Sequence, residues 1–303
     1  MTMLANGSAA AGVADIRLNS FAEEYRRQQR TKRLWTLLFG ALFAAACIGS
    51  AIVSEVDVGK LLTGLPKSWN YIYGTLPRIR LETFGADMAE WYWGINYWLR
   101  LLLETVLMGF LGTVLGAIVG LALCFPASRN LVESRLAYFI SRRFLEFFRT
   151  VPGLVFALIF VIAFGLGPLP GVLALAIHTA GSLGKLFAEV NENIDPRPVE
   201  GVRAAGGNWL MCMSLGVIPQ ALPNYASYAL LRFEINVHSA TVMGVVGAGG
   251  IGQELYVAIR QFEYSDISAI LLLLIALVSI IDLSCEAIRH RMIGPELQKA
   301  MPS

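Results

Sequence analysis

Apolar runs close to membrane length alternate along this chain with short clusters of charge. The first run, 34–54, carries no charged residue and matches the roughly 20 residues that a helix needs to cross a bilayer core. Arg26, Arg27, Arg30, Lys32 and Arg33 precede it, a basic flank that predicts a cytoplasmic N-terminus. Residues 1–33 then form a cytoplasmic tail, mobile up to about Ser20. They lack the prompt apolar core and cleavage site of a signal peptide. A second span covers 100–125, where Gly109, Gly112, Gly116 and Gly120 recur at helical spacing and predict a face that another backbone can approach closely. Arg129, Arg135, Arg142, Arg143 and Arg149 outnumber Glu133 and Glu146 in the next loop, which places it inside.

The charge-free stretch 151–184 is too long for one crossing. Its Gly165-Leu-Gly-Pro-Leu-Pro-Gly171 sequence divides it into spans at 150–166 and 170–188, joined by a tight external turn. The uncharged window 209–231 resembles another span, but Pro219 and Pro223 interrupt it, so the fifth span is set at 220–238. A sixth, 267–287, lies between Asp266 and the basic residues Arg289, Arg291 and Lys299. Six crossings return the C-terminus to the cytoplasm and leave 189–219 there as a polar loop. The pattern predicts an all-α polytopic membrane protein, with 34–303 as one transmembrane domain.

Composition agrees: 56% of residues are hydrophobic and 15% charged, more apolar than a soluble domain requires. A net charge of +2 without a basic stripe gives no reason to expect nucleic acid. Cys47, Cys124, Cys212 and Cys285 lie in apolar segments without metal or redox spacing and are read as packing residues. The segment 54–99 is external and rich in Trp and Tyr. Such residues anchor at a membrane interface, or meet a partner protein.

Within the 189–219 loop, Asp195-Pro-Arg-Pro198 opens a helix near Val199, Gly206-Gly207 bends it, and a second apolar helix from Trp209 stops at Ile218-Pro219. Glu200, Gly206 and the closing Ile218-Pro219 resemble the cytoplasmic EAA loop of permease subunits of bacterial ATP-binding-cassette importers, although Gly201 and Val202 replace its two alanines. The stretch from His238 to Gly252, reading HSATVMGVVGAGGIG, is similar to the matching stretch of phosphonate-importer permeases and more loosely to that of methionine-importer permeases. Gly247, Gly249 and Gly252 also satisfy a dinucleotide-binding spacing, but that spacing has meaning only between a strand and a helix.

The resemblance implies a type I importer permease (MetI-like) fold in a bacterial inner or plasma membrane, with both termini cytoplasmic. It implies a homodimer, a separate pair of ATPase subunits and an external phosphonate-binding protein. ATP would be bound by the partner subunit, since this chain has no GxxxxGK[ST] loop; no other cofactor or metal is expected. Coupling to the ATPase is then expected at Glu200, Arg203, Gly206, Gly207, Trp209 and Pro219. The translocation path is expected along Asn236, His238, Ser239, Thr241, Gly247, Gly249 and Gly250, short polar groups and glycines suited to a cavity wall. His178, Lys185, Arg232 and Glu234 are ionisable residues at or near membrane depth and therefore candidates for function, with snorkelling or interhelical bonding as the plainer role.

Phosphite, phosphate and methionine are the alternative cargoes, and an ATP-independent channel the alternative mechanism. An intramembrane enzyme is disfavoured because His178, His238 and His290 are scattered without a hydrolase motif.

Overall fold

The computed structural model describes the backbone of residues 3–55, 57–77 and 80–300, and the side chains of those from 25 to 292 except 26, 58 and 81. Every regular element among the described residues is helical. The chain divides into two compact units, Met1–Tyr71 and Ile72–Ser303.

In the first unit, α1 (Met3–Val53) is one continuous helix, and its portion Arg27–Val53 is long and apolar enough to cross a membrane. Over the segment expected as a tail up to about Ser20, the backbone from Met3 is helical. The side chains of Arg26 and of the residues before Tyr25 lie outside those described. After Glu55, whose φ of 51° ends the helix, the Asp57 carboxylate accepts from the Lys60 N–H at 3.1 Å and starts α2 (Val58–Thr75).

The second unit contains α3 (Phe84–Trp91), α4 (Ile95–Cys124), α5 (Arg135–Thr150), α6 (Gly153–Phe164), α7 (Pro168–Glu192), α8 (Pro196–Ala204), the single turn α9 (Trp209–Met211), α10 (Ile218–Gly244), α11 (Ile251–Gln261) and α12 (Tyr264–Ala300). A π-helical segment, Cys212–Val217, joins α9 to α10. By length and composition α4, α7 and Tyr264–Met292 of α12 can each cross a bilayer, as can α5 with α6 taken together. The latter two meet at an 83° bend. Its cause lies in the sequence: Pro152 forces Val151 into the extended region, at ψ 123°, and no helix continues through it. With only 12 residues, α6 is about 18 Å long and cannot span alone. The 27 residues of α10 are long enough to cross but carry Arg232, Glu234 and several other polar groups.

The predicted glycine face of α4 is the centre of the packing. A β-carbon at Gly112 would stand 2.6 Å from Leu175 Cβ, and one at Gly116 2.6 Å from Thr179 Cβ; at Gly120 it would lie 2.9 Å from the Gly184 backbone nitrogen. These three admit α7 at backbone distance, while Gly109 faces Val237 of α10. Three helices thereby share one axis of contact.

Several boundaries differ from the sequence expectation. Helix α4 begins at Ile95, ahead of the expected start at 100. Within it, Glu104 Oε1 accepts the Gly250 N–H at 3.1 Å. Helix α11 has no counterpart among the elements expected from the hydropathy pattern, because its 11 residues are too few and too polar to register as a span. Part of the aromatic segment is core: Trp91 is buried, and its indole N–H donates to Ser268 Oγ at 3.0 Å. Trp98 is buried as well, whereas Trp69 and Trp93 are exposed.

Candidate functional site

Two polar regions stand out from the apolar bundle, one on the loop between α7 and α10 and one at mid-depth between α4, α7 and α10. The first is built by local chemistry. Asp195 caps α8 by accepting the Arg197 N–H at 3.0 Å, and the prolines Pro196 and Pro198 occupy its first turn, where a missing N–H is harmless. The helix therefore begins three residues before Val199. It buries Val199 and leaves Glu200 and Arg203 exposed, neither side chain bonding to the rest of the described residues. Gly206 then takes φ +83°, a left-handed turn that an L side chain would strain. The Gly207 N–H closes it on the Val202 carbonyl at 2.9 Å. Asn208 caps α9 by accepting the Met211 N–H at 2.9 Å.

Beyond this bend the structure departs from the expected helix-then-stop. Ile218 keeps helical angles, and its N–H reaches the Met213 carbonyl, five residues back. The wider π turn accommodates Pro219, whose ring and missing N–H an ordinary turn would not accept. Pro219 thus starts α10 and does not end the segment before it. Val199 packs with Cys212, Met213 and Val217 in a small core, and Gly216 lies against the Val199 backbone. Trp209, half exposed, donates its indole N–H to the Leu131 carbonyl at 3.3 Å. Leu210, Met211 and Leu215 are exposed, so the outer side of the unit is an apolar knob beside a free carboxylate and a free guanidinium.

The knob is held firmly to the bundle. Glu192, the last residue of α7, accepts from Arg142 Nη1 at 2.8 Å and from the Arg129 N–H at 2.9 Å. Beside it, the fully buried Asn191 accepts from the Tyr225 hydroxyl and donates to Ser128 Oγ at 3.2 Å. These bonds join α5, α7, α10 and the turn after α4 where the loop emerges. The sequence pattern does not single out Asn191, Tyr225, Arg142 and Glu192, because they meet only in the folded chain.

In the mid-depth region Asn236 is wholly buried, 0% exposed. Its amide nitrogen donates to Thr113 Oγ1 at 2.8 Å and Thr179 Oγ1 at 2.9 Å, tying α10 to α4 and α7. Here Asn236 fastens helices and does not face an open path. Arg232, one turn before it, donates to Thr179 Oγ1 at 3.3 Å and contacts His178 Nδ1. Glu234 points the other way, to Arg289 of α12 at 3.6 Å. His238 and Asp282 approach within 3.9 Å. Lys185 lies 3.8 Å from Glu189, one turn along α7. Thr241 donates back to the Val237 carbonyl at 3.3 Å and Ser239 to that of Ile235 at 2.9 Å. A cavity of ≈ 270 Å³ brings together His178, Arg232, His238 and Ser239.

Gly247, Gly249 and Gly250 all have positive φ and form the break between α10 and α11. Gly249 and Gly250 are buried against Glu104, Thr105 and Pro168, so this irregular backbone is enclosed by protein. The Ile251 N–H at the start of α11 is taken by Thr105 Oγ1 at 2.9 Å. The segment joins two helices, which excludes the dinucleotide reading of its glycine spacing. Among the described residues no group of three His, Cys, Asp or Glu could hold a metal ion.

The family described as "Binding-protein-dependent transport system inner membrane component" matches residues 112–294. The chain is 38% identical over 241 residues to the phosphite transport system permease protein PtxC of Stutzerimonas stutzeri, covering 80% of this chain and 83% of that protein. It is 39% identical over 195 residues to the phosphate-import permease protein PhnE of Mycolicibacterium smegmatis, covering 64% of this chain and 37% of that one. Among solved structures, the inward-facing MetNI methionine ABC transporter aligns with a TM-score of 0.55 at 23% identity, over 64% of this chain and 95% of its own. That likeness is one of fold.

Proposed function

The chain belongs to the family of binding-protein-dependent transport inner membrane components, a permease subunit of an ABC importer, and from that premise we propose that its cargo is an oxyanion of phosphorus, a phosphonate or phosphite. The observation that carries the cargo is the set of relatives. Permeases named for phosphite, phosphate and phosphonate transport match at 38%, 39% and 50% identity, whereas the methionine permease MetP of Bacillus subtilis is 23% identical over 140 residues. In this reading six crossings, α1, α4, α5 with α6, α7, α10 and α12, leave both termini and the α8–α9 knob in the cytoplasm.

A second copy completes the pathway by twofold symmetry. An external binding protein delivers the anion, and two separate ATPase subunits supply energy. Nothing in the sequence resembles a P-loop, so work must enter by contact. The knob has the surface for such a contact. Its apolar side, Leu210, Met211 and Leu215, fills a partner's cleft, and Glu200 and Arg203 add charged contacts at the edge. Because Glu192 and Asn191 bind the root of the knob to the neighbouring helices, its displacement carries the bundle with it.

The test is ATP-driven uptake into proteoliposomes containing this chain, its ATPase and its binding protein. Labelled phosphite or 2-aminoethylphosphonate should accumulate and methionine should not. Accumulation of methionine alone would retain the importer and reject the cargo. Uptake without ATP would favour a channel.

A further inference from the structure

Arg232 lies close to the middle of α10, fourteen residues after Ile218 and twelve before Gly244, which in the six-crossing reading is near mid-membrane. An arginine keeps its charge in any protein environment, and such a charge at this depth is costly without a counter-ion. No carboxylate among the described residues is within ion-pair distance of it. Glu234 pairs instead with Arg289, and Asp282 lies 3.9 Å from His238. The partners that Arg232 does have, His178 Nδ1 and Thr179 Oγ1, are acceptors that carry no negative charge. They fix the guanidinium plane and leave the rest of its donor fork free.

That fork borders the ≈ 270 Å³ cavity, whose wall also includes His238, Ser239 and the apolar Leu175 and Met243. The volume lies just below the roughly 300–1,000 Å³ usual for drug-sized ligands, which suits a small anion. Resting on the reading of this chain as an importer of phosphorus oxyanions, we infer that Arg232 is the anion contact of a transit site inside the permease, a site for one tetrahedral phosphite or phosphonate group. His178 and Thr179 act as positioning residues, holding the fork toward the cavity. His238 offers a second donor from the same wall. A single cation with neutral helpers binds an oxyanion bidentately yet weakly enough to release it, as a transport path demands.

The assay is protection of a reporter thiol. Val242 lines the cavity one turn beyond His238 and is exposed, so Val242→Cys is introduced with the exposed Cys47 replaced by Ser. The protein is reconstituted with its ATPase and binding protein, and maleimide labelling is followed with and without phosphite or methylphosphonate at constant ionic strength in NaCl. Both anions should slow labelling several-fold. Arg232→Gln should raise the protecting concentration about 10- to 100-fold, the scale of a lost charged hydrogen bond, and Arg232→Lys and His178→Gln should raise it less.

Absence of protection in the Val242→Cys protein, or protection undiminished in Arg232→Gln, overturns the site. If Arg232→Gln does not assemble, undiminished protection in Arg232→Lys does so. Stimulation of ATPase by loaded binding protein is measured on the same Val242→Cys complex. Stimulation without protection discards the transit site alone, whereas loss of stimulation strikes at the importer reading beneath it.

Discussion

Asn236 and Glu200 show how differently two polar residues in one chain can act. Asn236 is buried and bonded on both sides, so Asn236→Leu leaves the hydroxyls of Thr113 and Thr179 without their shared partner. The expected cost is about 1–3 kcal/mol, seen as a lower unfolding temperature of the purified protein. An unchanged temperature would refute its fastening role. Glu200 is exposed and its side chain bonds to nothing else among the described residues, so Glu200→Ala should leave that temperature within the small range of surface substitutions, ~0.5 kcal/mol. Binding-protein-stimulated ATPase should nonetheless fall about tenfold, as for loss of one charged contact, with Glu200→Asp less affected. At this scale the sequence was only half legible. Polar residues within apolar runs were visible as candidates, but whether one meets a helix, a cavity or another subunit depends on neighbours more than fifty positions away. For that reason Asn236 was expected on the path while Thr113 and Thr179 were not noticed.

Among the elements, the glycine face of α4 was the most readable feature, because three- and four-residue spacing is itself helix geometry. Gly116→Leu puts a side chain where Thr179 Cβ already stands 2.6 Å from the position of a β-carbon. It should abolish recovery of folded protein, while Gly64→Leu, at a glycine with nothing near its β-position, should not. The π-helical Cys212–Val217 was not readable at all. Proline ordinarily ends a helix, and the alternative of widening one turn to pass it leaves no pattern in residue types. The bend was better signalled. Gly206 at φ +83° predicts that Gly206→Val, strained in that conformation, lowers stimulated ATPase more than Gly201→Val, which meets open space inside a helix. Equal effects of the two would show that the left-handed turn is not what coupling needs.

For the whole molecule, hydropathy and charge flanks were enough to propose crossings because a bilayer imposes a length on every span and a charge bias on every loop. They could not reveal that α5 and α6 meet at an 83° bend, or that α11 intervenes before α12. The bundle is tied by Asn191 and Asn236, with an exposed apolar knob at one end and Arg232 beside a small cavity within. The central claim is that ATP hydrolysis by a partner is linked through this chain to a phosphorus oxyanion. The most direct measurement is the ATPase rate of the reconstituted complex with binding protein that is empty, loaded with phosphite or 2-aminoethylphosphonate, or offered methionine. The account predicts stimulation by the phosphorus-loaded protein and none by methionine. Failure of the chain to form a complex with any ATPase, or stimulation by methionine alone, would contradict it.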